Sequence, residues 1–429
     1  LSAFYNTCVK IVIIGGGAAG FFGAITAAEA NPSAQVLLLE RNRNVLGKVR
    51  ISGGGRCNVT HACYEPADLV KHYPRGALAL RGPFTRFHPR DTVDWFESRG
   101  VKLKTEHDGR IFPITDDSAT IVNCLMDAAK RAGVEIRTNV SITSVMPARS
   151  QPKGQASGFL ITAKDHEAIS CKRLLLATGS SAQGWQWAQA MGHTVVPPVP
   201  SLFTLEIKDD RLTGLAGISV EHATLQLDSA SPVETRSIAS LQQSGPVLIT
   251  HWGLSGPAVL KLSAFGARAL HDCNYDAGLT INWLPDLRPD DLIDQLHNLK
   301  AKRGGQKVNA HSPFGAIPQR LWESLCTAAG IFDEQRWAKL PKANLIALAD
   351  ELLRGRYRIT GKGQFKEEFV TAGGVNLDEV NFKTMESRIV PGLHFAGEVL
   401  DIDGITGGFN FQSAWTTGWL AGGAMASVA

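Results

Sequence analysis

Ile11-Val-Ile-Ile14 runs straight into Gly15-Gly-Gly-Ala-Ala-Gly20, an apolar strand opening onto a Gly-x-Gly-x-x-Gly turn. No other feature of the chain restricts its fold as tightly. Gly15 suits the tight turn, Gly17 lets the backbone approach a pyrophosphate without a Cβ in the way, and Gly20 lets the next helix lie close on the strand. Ala18 and Ala19 complete the turn, and a helix is expected from Phe21 to Ala30. Its free N–H groups and partial positive charge favour phosphate. A second strand, Gln35–Leu39, ends in Glu40, at the spacing where this fold sets a carboxylate against ribose hydroxyls. The residues imply a βαβ dinucleotide-binding unit.

Length and composition set the bounds. At 429 residues the chain exceeds one ordinary core, so several domains are expected. No run approaches the length and apolarity of a membrane span, and residues 1–8 are too short and polar for a signal peptide, which suggests a cytoplasmic protein. The seven cysteines, an odd number with no Cys-x-x-Cys pair, argue against a disulfide framework, a structural zinc site or a thioredoxin-type couple. The sequence shows no metal-ligand spacing and no nucleophile–histidine–carboxylate arrangement. A net charge of +4 is too small to dictate a polyanionic partner.

Texture along the chain predicts an α/β fold, a Rossmann-like domain interrupted by insertions. Residues 1–196 read as its first part, with helices over Asp91–Gly100 and Asp116–Gly133 and a hairpin turning at Asp108-Gly109. Residues 197–285 alternate apolar and polar positions in short runs, the pattern of an antiparallel β domain. Residues 286–355 take helical spacing (Leu321, Leu325, Ala328; Leu345, Leu348, Leu352) and read as a small helical subdomain. Residues 356–429 return to glycine-rich α/β style.

One glycine fingerprint serves NAD or FAD. Three further segments favour FAD held along its length: Ala177-Thr178-Gly179 closing a strand, Gly397-Glu398 closing another, and Gly407-Gly408-Phe409-Asn410 opening a final helix. The Glu398 carboxylate suits ribityl hydroxyls, and the helix start suits negative charge at N1 and C2=O of a reduced flavin. No second Gly-x-Gly-x-x-Gly is present, so NAD(P)H is expected as a transient donor without its own Rossmann domain.

These residues carry a resemblance. The chain resembles the BaiN/RdsA-like family of FAD-dependent oxidoreductases, within the glutathione-reductase-like flavoproteins. The motifs are Ser52-Gly-Gly-Gly-Arg-Cys-Asn58, Asp108-Gly-Arg-Ile-Phe-Pro113, Thr250-His-Trp-Gly-Leu-Ser-Gly-Pro257, Val370-Thr-Ala-Gly-Gly-Val375, Thr384-Met-Glu-Ser387 and Ala396-Gly-Glu-Val-Leu-Asp-Ile-Asp-Gly404 with Thr406-Gly-Gly-Phe-Asn410. Ser180-Ser181 and Trp252 depart from what is usual there, which bears on substrate shape. Further contacts to non-covalent FAD are expected from Arg41, Lys48, Gly54, Arg56 and Ile142. The resemblance implies reduction of a C=C bond conjugated to a carbonyl, in sterol-like molecules or in uridine of ribosomal RNA.

For such chemistry the protein must supply orientation and an acid. Cys57 or His61 is expected as proton donor, and Arg56 as the group that holds a carbonyl or phosphate. His251 sits in a loop suited to reading a substrate or to a structural bond, and His394 lies on a strand. A small-molecule substrate is the leading expectation. Two basic stretches keep RNA as an alternative: Lys71–Arg90, with Tyr73, Phe84 and Phe87 interleaved, and Arg354–Lys366. A non-catalytic flavin protein that signals redox state is the alternative of another class.

Overall fold

In a computed structural model the described residues are 10–148, 158–228, 241–363 and 370–427. The chain divides into two compact units, one formed by residues 1–198 with 370–429 and the other by 199–369. The first is an α/β Rossmann-like FAD-binding fold. Its sheet has seven strands with Lys10–Ile14 near the middle, in the order Val380–Asn381, Glu386–Ser387, Leu393–Phe395, Arg173–Leu176, Lys10–Ile14, Gln35–Leu39, Glu135–Arg137. The last five are parallel, and the first two attach antiparallel at one edge. Burial on both faces accounts for the unbroken apolar runs of the central strands.

Two buried helices, Ala18–Ala30 and Phe409–Ala426, lie along each other. Their contact depends on small residues: a Cβ at Gly422 would stand 2.4 Å from the Gly23 carbonyl oxygen. The first helix starts at Ala18, three residues earlier than expected, because Gly17 already accepts the N–H of Phe21 (3.0 Å). The other expected helices run over Pro89–Glu97 and Ser118–Arg131, and the Asp108-Gly109 hairpin pairs Leu103–Thr105 with Arg110–Pro113.

The second unit is built on a closed six-stranded antiparallel barrel of Leu205–Ile207, Gly253–Ser255, Gln242–Ile249, Ser219–Leu227, Ala277–Asn282 and Gly355–Lys362. Helices Pro289–Lys302, Gln319–Ala328 and Lys342–Arg354 share one hydrophobic core with it, including Trp283, Trp322 and Trp337. Where a boundary at 355/356 was expected, Gly355–Lys362 closes the barrel by pairing with both Leu205–Ile207 and Ala277–Asn282. No helix among the described residues is long and apolar enough to cross a membrane.

Candidate functional site

The glycine turn is set by contact. Gly15 takes φ +111°, and a Cβ there would lie 2.2 Å from the Ala177 carbonyl oxygen, so the turn and the Ala177-Thr178-Gly179 strand end touch. Gly17 faces open space, and the helix it starts has no side-chain cap, leaving first-turn N–H groups for a ligand. Glu40 accepts from the Gly16 N–H through one carboxylate oxygen and from the Asn42 N–H through the other, both at 2.8 Å. Arg41 is exposed beside it. The Val140 N–H donates to the Glu40 carbonyl (2.9 Å), which brings the chain leading to Ile142 alongside; the Ile142 carbonyl accepts from Gln183 (2.7 Å).

The segment after Glu40 folds back onto this turn through Leu46 N–H to Gly16 O (2.8 Å). Lys48 then pairs with Glu398 (2.5 Å), and the other Glu398 oxygen accepts from Thr371 N–H (3.0 Å). Gly179 and Gly397 flank the pair with positive φ, and the Gly397 N–H donates to Thr417 (2.9 Å). The Thr178 hydroxyl is enclosed without a hydrogen-bond partner among the described residues. An uncapped helix start, open backbone at Gly17, the Glu40 carboxylate and this hydroxyl fit a dinucleotide laid across the strand ends.

Further along, Gly53, Gly54 and Gly55 all adopt left-handed conformations, as does Cys57. Arg56 stacks over the Phe112 ring (4.0 Å) and pairs with Glu106 (2.7 Å) and Asp116 (3.5 Å); the Glu106 bond holds its guanidinium more firmly charged. Cys57 is fully buried, and burial pushes its thiol up to about 12, a poor acid at neutral pH. His61 Nε2 lies 3.1 Å from the Asp108 carbonyl, which can only accept, so Nε2 carries a proton. Its ring stacks on Phe409 (4.7 Å, 23°).

Residues 58–61 meet the start of the last helix. Gly408, at φ +92°, brings its backbone so near that a Cβ would stand 2.6 Å from the Thr60 carbonyl carbon. Asn58, with its amide turned to satisfy both ends, accepts from Gly408 N–H and donates to Thr60 O, each at 2.9 Å. Asn410 folds back to bond both the N–H and the carbonyl of Gly404 (2.8 Å each), and Gly407 lies against His61. The predicted cofactor segments therefore converge within the first unit.

Other candidates lie apart. His394 is buried in the sheet, and burial drives its pKa down to about 4. His251 is exposed on a turn of the barrel unit. Four of the basic residues pair with carboxylates just outside or far from their stretches: Arg75 bonds Asp403, Arg358 bonds Asp276 (2.6 Å), Arg354 bonds Asp350 (2.7 Å) and Lys71 bonds Asp68 (2.6 Å). Tyr73, Phe84 and Phe87 are buried rather than available for stacking. Arg81 and Arg356 are exposed with no carboxylate partner among the described residues. Lys366 lies outside the described residues.

The fold also assembles a nucleophile–histidine–carboxylate chain where the sequence showed none. Ser387 Oγ is 2.9 Å from His193 Nε2, and His193 Nδ1 is 3.0 Å from Glu379. Ser387 Oγ already accepts from the N–H groups of Ile389 (3.0 Å) and Val390 (2.7 Å) and is buried, so the three tie the edge hairpin to the loop that carries His193. Sequence separation hid it. Sequence also gave no sign of the Glu106 and Asp116 carboxylates around Arg56.

The fold and the converging glycine segments define a flavoprotein oxidoreductase with a Rossmann domain. More specifically, the chain belongs to the HI0933-like protein Rossmann domain family, which matches residues 9–424. It is 30% identical over 425 residues to the 3-dehydro-bile acid delta(4,6)-reductase of Clostridium scindens, covering 97% of this chain and 99% of that protein. It is also 30% identical over 422 residues to the ribosomal RNA dihydrouridine synthase of Escherichia coli, covering 95% and 96%. A Rhodococcus jostii 3-ketosteroid-delta4-(5alpha)-dehydrogenase structure superposes over 100% of this chain and 99% of that one, with a TM-score of 0.51 and 15% identity, a likeness of fold.

Proposed function

We propose that this protein reduces a C=C bond conjugated to a carbonyl in a small molecule, with NAD(P)H as electron source. The observation that carries the reading is the meeting of the Arg56–His61 segment with the start of the last helix, beside the glycine turn. The two relatives support it, since their names describe hydrogen added to a bile acid and to uridine. FAD held here would supply hydride at its N5.

The chain's own residues divide the remaining work. Gly17 and the Ala18–Ala30 helix start bind phosphate, Glu40 takes the ribose, and Lys48 with Glu398 orients the other end. Arg56 has Nη1 committed to carboxylates and Nε near Gly53 O, which leaves Nη2 for a substrate carbonyl. Of the two acids, His61 suits the proton better, because the Cys57 thiol is pushed to about 12.

Anaerobic mixing with NADPH and with NADH, followed through flavin absorbance near 450 nm, tests the reading. Bleaching followed by stoichiometric reduction of an enone is the expected result. Bound flavin that neither nucleotide reduces, but dithionite does, would leave a redox-signalling role in its place.

Uridine in RNA is the second reading, favoured by the equal identity to the synthase and by exposed Arg81 and Arg356. It requires RNA binding that weakens steeply with salt and on reversing Arg354, Arg356 and Arg358 together. The small molecule is preferred because Lys71, Arg75, Arg354 and Arg358 are already paired with carboxylates and the interleaved Tyr73, Phe84 and Phe87 are buried.

A further inference from the structure

Gln412, one turn into the last helix, is completely buried, as are the three threonines that bond it. Its Oε1 accepts from the hydroxyls of Thr60 (2.6 Å) and Thr92 (2.9 Å), and its Nε2 donates to Thr416 Oγ1 (3.0 Å). Thr416 in turn donates to a backbone carbonyl of its own helix or of Phe87. Thr60 belongs to the strand beside His61, and Thr92 to the helix Pro89–Glu97. A network in which every amide atom is matched, with no solvent to substitute, fixes geometry closely. Around it, Asn58 bonds Gly408 N–H and the Trp415 indole donates to Val59 O (2.9 Å). The last helix is thus stitched to residues 58, 59 and 60 in succession, at backbone contact distance.

We propose that Gln412 is a positioning residue: it sets the start of the Phe409–Ala426 helix against the 58–61 strand and thereby tunes how strongly the protein favours reduced over oxidised flavin. This rests on the reading that the helix start addresses the flavin. A helix N-terminus carries roughly half a positive charge, and its effect falls away within one turn. A small displacement therefore changes the stabilisation of charge that builds on reduction. Gln412→Leu keeps much of the volume but takes the acceptor from the Thr60 hydroxyl and leaves Thr92 only the longer bond to the His88 carbonyl (3.4 Å), so the helix start loses its register.

The test is the two-electron midpoint potential of the flavin-loaded full chain, read by equilibration against a reference dye, in wild type, Gln412→Leu, Thr92→Val and Thr92→Ser. The expected result is a shift of the reduced-to-oxidised ratio by about tenfold toward oxidised in Gln412→Leu, equivalent to about 30 mV. Thr92→Val should shift part of the way, and Thr92→Ser should restore the wild-type value. A ratio within twofold of wild type in Gln412→Leu and Thr92→Val, with flavin bound, overturns the assignment. If Gln412→Leu does not fold, the Thr92 pair decides alone. Wild-type protein that takes up no FAD would instead defeat the functional reading beneath the proposal.

Discussion

Arg56 and Cys57 are neighbours with opposite fates. The guanidinium stands between Phe112 and two carboxylates on a side chain 32% exposed, while the thiol is sealed inside. His61→Ala is therefore expected to lower turnover by about 100-fold or more, the usual worth of a positioned acid, and Cys57→Ser to lower it far less. Single-turnover reoxidation of reduced flavin by substrate measures this, and full turnover in the double variant would remove both residues from the mechanism. Arg56→Lys should raise KM or lower kcat about tenfold, since an ammonium cannot keep the Glu106 bond, the ring stack and a substrate contact together. At this scale the sequence displayed the chemistry-bearing residues but not their surroundings. Glu106 lies 50 residues beyond Arg56, and it arrives only because the Asp108 hairpin folds onto the 60–61 strand. Arg75 in the apparently acid-free Lys71–Arg90 run finds its carboxylate the same way, in Asp403 more than 300 residues away.

Among elements, the pair Ala18–Ala30 and Phe409–Ala426 depends on close approach. Gly422→Leu should destabilise the protein by about 1–3 kcal/mol through overpacking, read as a lowered denaturant midpoint. Gly423→Ala, next along the helix and facing open space, should not. Elements stabilised by local signals were legible: the first strand and turn, the hairpin at Asp108-Gly109, and leucines at helical spacing. Ala328 is an exception to that spacing, exposed while Ala329 is buried. What escaped was Gly355–Lys362, whose alternating burial resembles any half-buried strand. Its assignment to the barrel depends on partners about 80 and 150 residues earlier, and pairing at that distance leaves no trace in local pattern.

For the whole molecule, buried neutral histidines make stability depend on pH. His394 titrates near 4 when folded against an ordinary 6.5, and burial lowers His193 as well. The unfolded chain then binds protons that the folded chain does not, so stability is full above about pH 6.5 and falls as pH drops toward 4, by about 3 kcal/mol for His394. Urea unfolding at pH 7 and 4.5 should show a smaller difference in His394→Gln than in wild type; equal differences would refute the assignment. The first unit is also closed by segments from both ends of the chain, since Lys10–Ile14 pairs with Arg173–Leu176, which pairs with Leu393–Phe395. During synthesis the glycine turn emerges first and Gly407–Asn410 nearly four hundred residues later, after the whole barrel unit. A ribosome stalled beyond the barrel thus carries the proposed cofactor cradle still missing its far wall, so flavin capture has to wait for the segment that follows the barrel.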